Sequence, residues 1–519
     1  MGAALGAWLL LGHGMAHAEM TRLEITSKQP FGSFAAGDYV IWQGKIHGDL
    51  APEEAIPGLD KVQRNARGRV DYSSRIALIM PASPARGNGT LLVDVPNRGK
   101  AYAQALYNSP RDEPFLSGTF EHGNGFLEDR GYTIAEVYWE LGQGANLPSF
   151  AGADGKQLFV EGVGFAIMRD AADFFARAPA DSAGTPNPLK GNISRVLASG
   201  KSQTGRFLKT FLLNGFNMAG GRRVFDGMHV FVSAAGILPI MQTGAGPDSS
   251  ANAGPTFANP EFRGVNEDPL AISDIIKRVE ARGEVPPKMV LISSVTDYYS
   301  IRASLGRTGA AGADDLPLPS NVRMYDIAGS SHVRMPATPA ECKLPANRLD
   351  WTPVSRATLT RLDAWVAVNV EPPPSQLMPL EAAAANPLVL RAPAHLPRAV
   401  IQVPRHDSDG NALGGVRLPD LAVPLGTHGG HNGLAAPCRL IGSYEAFAAN
   451  KAQREAAGDQ RMSIAERYQN RDDYVNRIRI AALELMRSGF LLPEDAAVII
   501  QSAASNAALK APAAAAQAD

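Results

Sequence analysis

Apolar and polar residues alternate over Tyr39–His47 and Arg75–Met80, the period of strands that bury one face, so residues 19 to about 85 predict an antiparallel β extension. From Thr90 to about Val370 the pattern changes. Short, nearly continuous apolar runs at Thr90–Val95, Gly131–Tyr138, Ile193–Ser199, Met228–Ala234, Met289–Val295 and Val322–Ala328 predict strands buried on both faces. Helical patterns lie between them. Val163–Ala176 has the helical period and places Arg169 and Asp173 one turn apart as an ion pair; after Ser202, residues Phe207, Leu208, Phe211 and Leu212 share a face that stops at Asn214-Gly215. This alternation predicts an α/β fold with a mostly parallel central sheet flanked by helices.

Two regions interrupt or extend that core. Residues 237–286 form an insertion rich in Gly, Asn, Ser and Pro with one helix from about Pro269 to Arg282, the kind of long segment that serves as a lid over a site. Glu371-Pro372-Pro373-Pro374 then marks a stiff break before a C-terminal extension, 371–501, expected to pack on the core. Within it, Ser463-Ile464-Ala465-Glu466 reads as a capping box, Val475, Ile478, Ala482 and Leu485 make an apolar stripe ending at Gly489, and Pro493 opens a last helix. Residues 502–519 are Ala-rich and are expected to be a disordered tail.

The chemistry concentrates where strands end. In Val196-Leu197-Ala198-Ser199-Gly200-Lys201-Ser202-Gln203-Thr204-Gly205 a strand stops, the chain turns sharply and a helix begins, which describes a nucleophile elbow presenting Ser202. Thr204 stands where Gly-x-Ser-x-Gly has its second glycine, and Gly205 follows it. A serine needs a base and an orienting acid, and in this arrangement they follow in the order Ser, acid, His. His332 sits just past the last apolar run, and Asp297 ends the run at Met289; Asp314 and Asp315 in the intervening loop could reach the same histidine, while Asp326 lies within a strand and reads as structural. The oxyanion donors are expected to be the backbone N–H of Gln203 and that of Arg98 or Asn97, in the loop after Thr90–Val95. Trp139, Tyr298 and Tyr299, also near strand ends, are candidate walls of a substrate pocket.

Several motifs together resemble one family: Asn97-Arg98-Gly99, the run Gly200 to Phe207, Gly221 to Gly227, and Gly458 to Tyr468. The chain is similar over most of its length to the large bacterial and fungal proteins known as "alpha/beta hydrolase domain" proteins. The resemblance implies an α/β-hydrolase fold and esterase-type chemistry. The expected function is hydrolysis of a small-molecule carboxylic ester through an acyl-enzyme on Ser202, with acyl transfer by the same three residues, or a non-catalytic binding protein on this scaffold, as alternatives.

Composition narrows the partners. Fifty Lys and Arg against 51 Asp and Glu give a formal net charge of −1, with no electrostatic footprint for nucleic acid. No cofactor or metal is expected: Asp407-Ser408-Asp409-Gly410-Asn411 has its Gly too early for a calcium loop and Leu418 where the loop needs Glu, and His428 and His431 lack an evident third ligand. Ala3–Leu11 followed by Ala16-His17-Ala18 reads as a signal peptide over residues 1–18, so a periplasmic or secreted location is expected, and no run of spanning length follows. Cys342 and Cys438 form either one disulfide or two buried thiols.

Overall fold

The computed structural model describes residues 19–110, 118, 120–238, 243–244, 269–309, 314–335, 337–383, 386–392, 396–433, 435 and 438–506. The signal-peptide reading, most of the lid-like insertion and residues 507–519 lie outside them. Nine strands make the sheet's main path: β1 (Glu19–Phe34), β2 (Gly37–Leu50), β3 (Val70–Pro81), β4 (Thr90–Asp94), β5 (Thr133–Val137), β6 (Arg195–Lys201), β7 (Gly227–Phe231), β8 (Lys288–Ser294) and β9 (Val322–Ile327). Their spatial order is β1-β2-β3-β5-β4-β6-β7-β8-β9, and a two-residue strand at Ala145–Asn146 also pairs with β3. The first three strands and the β3–β5 pair are antiparallel. From β5 onward every neighbour is parallel.

The apolar runs are explained by helices on both faces. On one face pack α1 (Val163–Arg177), α2 (Gln203–Leu213) and α3 (Ile272–Ala281); on the other lie α5 (Thr352–Val368), α6 (Arg471–Arg487) and α7 (Pro493–Ser505), while the short α4 (Val295–Ser300) caps β8. Successive strand residues point to opposite faces. Thus Met289 and Leu291 of β8 join a cluster with Phe165, Phe207 and Phe211, whereas Val290 and Ile292 join one with Val354, Leu362 and Trp365. Ile478, Ala482 and Leu485 of α6 and Ile499 of α7 belong to that second cluster, so the last helices share the apolar core beneath β8 and β9. The bond from the Ser463 backbone N–H to Glu466 Oε2, 2.9 Å, forms the capping box expected there.

Two expectations are corrected. Arg169 does not pair with Asp173: its guanidinium reaches Glu54 at 2.9 Å and Asp170 at 2.7 Å, and Asp173 instead takes Arg177 one turn on. Residues 502–505, expected in the disordered tail, belong to α7, which runs through Ser505 with Ala503 buried in the core; alanine favours the helix, and the packing of that side chain extends it. Cys342 and Cys438 are joined by a disulfide, with 5.3 Å between their Cα atoms and a separation of 96 in sequence. Closing so long a loop removes much entropy from the unfolded chain. Cys342→Ser should therefore cost about 2–5 kcal/mol, read as a lower thermal midpoint; a midpoint equal to the native one, also under reductant, would show that the bridge contributes nothing.

Candidate active site

Ser202 follows β6 directly and opens α2 with φ 57° and ψ −110°, a conformation costly for any residue with a side chain. Its surroundings hold it there. The Ser202 N–H donates to Phe231 O on the neighbouring strand at 2.9 Å. A Cβ on Gly200 would stand 2.5 Å from Thr204 O, and one on Gly205 would stand 2.8 Å from the Ser233 Cβ, so the turn closes only with glycine at both places. Thr204 replaces the usual second glycine with a useful hydroxyl: its Oγ1 accepts from Lys201 N–H at 2.9 Å and donates to Lys201 O at 3.2 Å, pinning the strand end to the helix start. The motif is shifted by one residue, and the turn is bonded across.

The imidazole of His332 lies over this serine. It reaches the loop past β9, where Gly329 has φ 71°. His332 Nε2 is 2.9 Å from Ser202 Oγ, and its Nδ1 is 2.6 Å from Asp297 Oδ1. A carboxylate oxygen only accepts, so Nδ1 carries the proton and Nε2 of the neutral ring is the acceptor facing the serine. Asp297 belongs to α4, and its second oxygen accepts from Ser294 N–H at 2.7 Å in a capping box at the end of β8. The other candidate acids are elsewhere: Asp315 pairs with Arg307, Asp314 is exposed, and Asp326 is buried against Tyr298 Oη at 2.8 Å and Met378 N–H at 2.9 Å. The structure thus brings Ser202, His332 and Asp297 together, each from the C-terminal end of a parallel strand.

One of the two loop donors differs from expectation. Asn97 N–H donates to Lys100 O at 2.8 Å in a tight turn, so that amide already has an acceptor. Asn97 contributes through its side chain instead, whose Nδ2 donates to Lys201 O at 2.8 Å. Gln203 N–H remains where it was expected, at the first position of α2, where backbone amides have no acceptor within the helix. The Gln203 side chain donates to Glu140 Oε1 at 2.8 Å.

The aromatic pocket residues are also corrected. Trp139 is buried against Phe207, with ring centroids 4.6 Å apart, and its Nε1–H donates to Pro96 O. Tyr298 is buried on Asp326, and Tyr299 packs beside His431 with its hydroxyl 3.4 Å from His406. The cleft at Ser202 is lined instead by Tyr102, Val232, Ala234, Ile301, Val333 and Leu440, together with Arg98, Lys201, Arg206 and His332; it holds about 690 Å³, part of it open to solvent. Aromatic residues at strand ends face whichever side the packing demands.

Four charged residues went unread in the sequence. Lys201 is buried, and its Nζ donates to His332 O at 3.0 Å, tying the histidine loop to the elbow; burial pushes its pKa down to about 8, against the pull of Asp297. Lys209 on α2 donates to Ser233 O and Ala234 O, clamping a turn in which Val232 and Ala234 both have positive φ, and burial brings its pKa to about 7. Glu140 is 2 % exposed, and burial raises its carboxyl to about 7 while Gln203 and Arg98 oppose the rise. Arg206 was legible in principle: it stands four residues after Ser202, one turn along the same helix face.

The two stretches weighed as metal sites make local bonds. Asp407 Oδ1 accepts from the N–H groups of Asp409 and Asn411 in a turn, and Asp409 pairs with Arg467 at 2.8 Å. His428 packs on Tyr444, with centroids 5.0 Å apart. Among the described residues there is no cluster of three or more His, Cys, Asp or Glu side chains placed to hold a metal, and no helix long and apolar enough to cross a membrane.

A family model described as an alpha/beta hydrolase domain matches residues 133–501. The chain belongs to that family. Its α/β-hydrolase sheet accounts for the placement of the three side chains at neighbouring strand ends. No curated protein matches the chain. Similar solved structures include a glucuronoyl esterase from Teredinibacter turnerae, at 10 % identity over 60 % of this chain and 76 % of that one with a TM-score of 0.28. They also include the rice cell wall degrading esterase LipA from Xanthomonas oryzae, at 11 %, 58 %, 90 % and 0.26, and an S-formylglutathione hydrolase from Agrobacterium tumefaciens, at 12 %, 59 %, 91 % and 0.26 on the same four measures.

The bonded elbow makes a direct prediction. Thr204→Val keeps the shape but leaves the buried Lys201 N–H without its acceptor, and should cost about 1–3 kcal/mol with slower labelling of Ser202 by a fluorophosphonate. Native stability together with native labelling would show that the hydroxyl does not hold the turn.

Proposed function

We propose that the protein hydrolyses a small-molecule carboxylic ester through an acyl-enzyme on Ser202. The observation that carries this reading is the hydrogen-bonded chain Ser202 Oγ, His332 Nε2, His332 Nδ1, Asp297 Oδ1 at the floor of an open cleft. Ser202 Oγ attacks the ester carbonyl carbon while His332 Nε2 takes its proton, and Asp297 steadies the imidazolium. The N–H of Gln203, at the positive end of α2, stabilises the developing oxyanion. The C–O bond then breaks, and the alcohol leaves with the proton from His332. Water attacks the acyl-serine, gives a proton to His332, and that proton returns to Ser202 Oγ as the carboxylic acid departs.

We also read the protein as exported to the periplasm or medium. The signal-like start of the sequence supports this, as does the Cys342–Cys438 bridge, since disulfides persist in oxidising compartments.

Ser202→Ala and His332→Ala should each lower kcat by about 10³ to 10⁶ with the fold intact by circular dichroism, and only the serine substitution should abolish fluorophosphonate labelling outright. Native turnover in Ser202→Ala would remove the serine mechanism. Asp297→Asn should be far more damaging than Asp314→Asn or Asp315→Asn; the reverse order would reassign the acid.

The pH dependence follows from His332. Burial holds its pKa below the ordinary 6.5, Asp297 pulls it back up, and the charges of Lys201 and Arg206 press it down further. The base works as neutral imidazole, so kcat/KM should stay on its plateau as pH falls through 6.5 and decline only below that. Lys201→Met removes one of the depressing charges and should move this acid limb to higher pH. A limb unmoved in that variant would mean that Lys201 acts on His332 only through its bond to the backbone.

A further inference from the structure

The described walls of the cleft carry three cationic side chains, Arg98, Lys201 and Arg206, and no carboxylate. They surround the serine from different elements. Arg98 is exposed on the loop after β4, with its Nη1 3.4 Å from Asn97 Oδ1; Lys201 precedes Ser202, and Arg206 follows it by one helical turn. The charges of Lys201 and Arg206 reach the reacting centre, because both act on the His332 imidazole. Two described carboxylates lie near these cations. Asp297 holds His332 and caps α4, and Glu140 lies outside the cleft lining, where it accepts from the Gln203 side chain and feels the charge of Arg98.

A partly enclosed cleft lined by one sign of charge favours a ligand of the opposite sign and penalises a neutral one that leaves the cations desolvated. Guanidinium groups suit planar oxyanions in particular, since their N–H forks match both oxygens of a carboxylate. The apolar part of the lining, Val232, Ala234, Ile301, Val333 and Leu440, leaves room for a hydrocarbon body beside the charge. The geometry points to an ester that carries a second, ionised carboxyl group, held by Arg98 and Arg206 while Ser202 attacks the ester carbonyl. Monoesters of dicarboxylic acids and esters of hydroxycarboxylic acids have this form. The inference rests on the reading of Ser202 as the nucleophile.

Two matched pairs of probes test it on the full chain. 4-Acetoxybenzoate against 4-acetoxybenzamide places the charge on the alcohol half, and methyl hydrogen adipate against methyl adipamate places it on the acyl half. In one pair the anion should be favoured by about tenfold or more in kcat/KM after correction for hydroxide reactivity. That preference should shrink between about 20 mM and 500 mM NaCl and approach one in Arg98→Gln/Arg206→Gln. The salt series uses native protein, so it stands even if the variant misfolds. Protection supplies a readout independent of turnover: 4-hydroxybenzoate or adipate should slow fluorophosphonate labelling of Ser202 more than the corresponding amides do. Equal treatment of acid and amide in every assay, with labelling and turnover still dependent on Ser202, overturns the charge inference and leaves the hydrolase reading in place. Absence of both labelling and Ser202-dependent turnover overturns the hydrolase reading itself.

Discussion

The site depends on one backbone conformation, the positive φ of Ser202. A residue with a Cβ persists there only when its neighbours over-determine it, and here the determinants come from several elements at once. The amide of Ser202 is fixed by β7, the turn is closed by Gly200 and Gly205, and Thr204 bonds back to Lys201. The same close approach of α2 to β7 brings Gly205 against Ser233 and lets Lys209 clamp the adjoining turn. Elbow and cleft wall are thus one packed unit. The parallel order of β6, β7, β8 and β9 then places the ends that bear Asp297 and His332 on the same edge.

Burial of charge is the second constraint, and it works on several groups together. Lys201, Lys209 and Glu140 are all shifted toward their neutral forms by desolvation, and each is bonded to backbone or amide groups that define the site. These groups orient their neighbours. Lys201 holds the carbonyl of His332, Lys209 holds those of Ser233 and Ala234, and Glu140 holds the Gln203 side chain. A buried group of this kind is costly unless its bonds are made, which makes the arrangement rigid.

Much of this was legible in the chain, and the reasons are specific. Ser202, Asp297 and His332 could be read because strand ends are visible as the ends of apolar runs and because the chemistry imposes their order. The alternation of β8 residues between two apolar clusters is likewise a local consequence of strand geometry. What escaped was direction and partnership. Trp139, Tyr298 and Tyr299 stand at strand ends just as Ser202, Asp297 and His332 do, but their rings turn into the core, where Phe207 and Asp326 meet them. The Asn97 amide looked like an oxyanion donor because its acceptor, Lys100 O, is set by a turn that closes on itself. Lys201 and Lys209 drew no reading from the sequence, since only tertiary packing buries them.

The bridge between Cys342 and Cys438 lies close to the cleft in an informative way. Val333 N–H, next to His332, donates to Leu440 O at 3.0 Å, and Asn347 N–H donates to Ile441 O at 3.2 Å, so both arms leading to the disulfide are stitched together where they pass the histidine. The intervening chain, which includes α5 and the paired strands Leu380–Ala382 and Gln402–Pro404, is therefore a closed hoop anchored at its neck. Over evolutionary drift, loops within such a hoop can lengthen or shorten with the change absorbed inside it, while the neck keeps His332 in register with the serine.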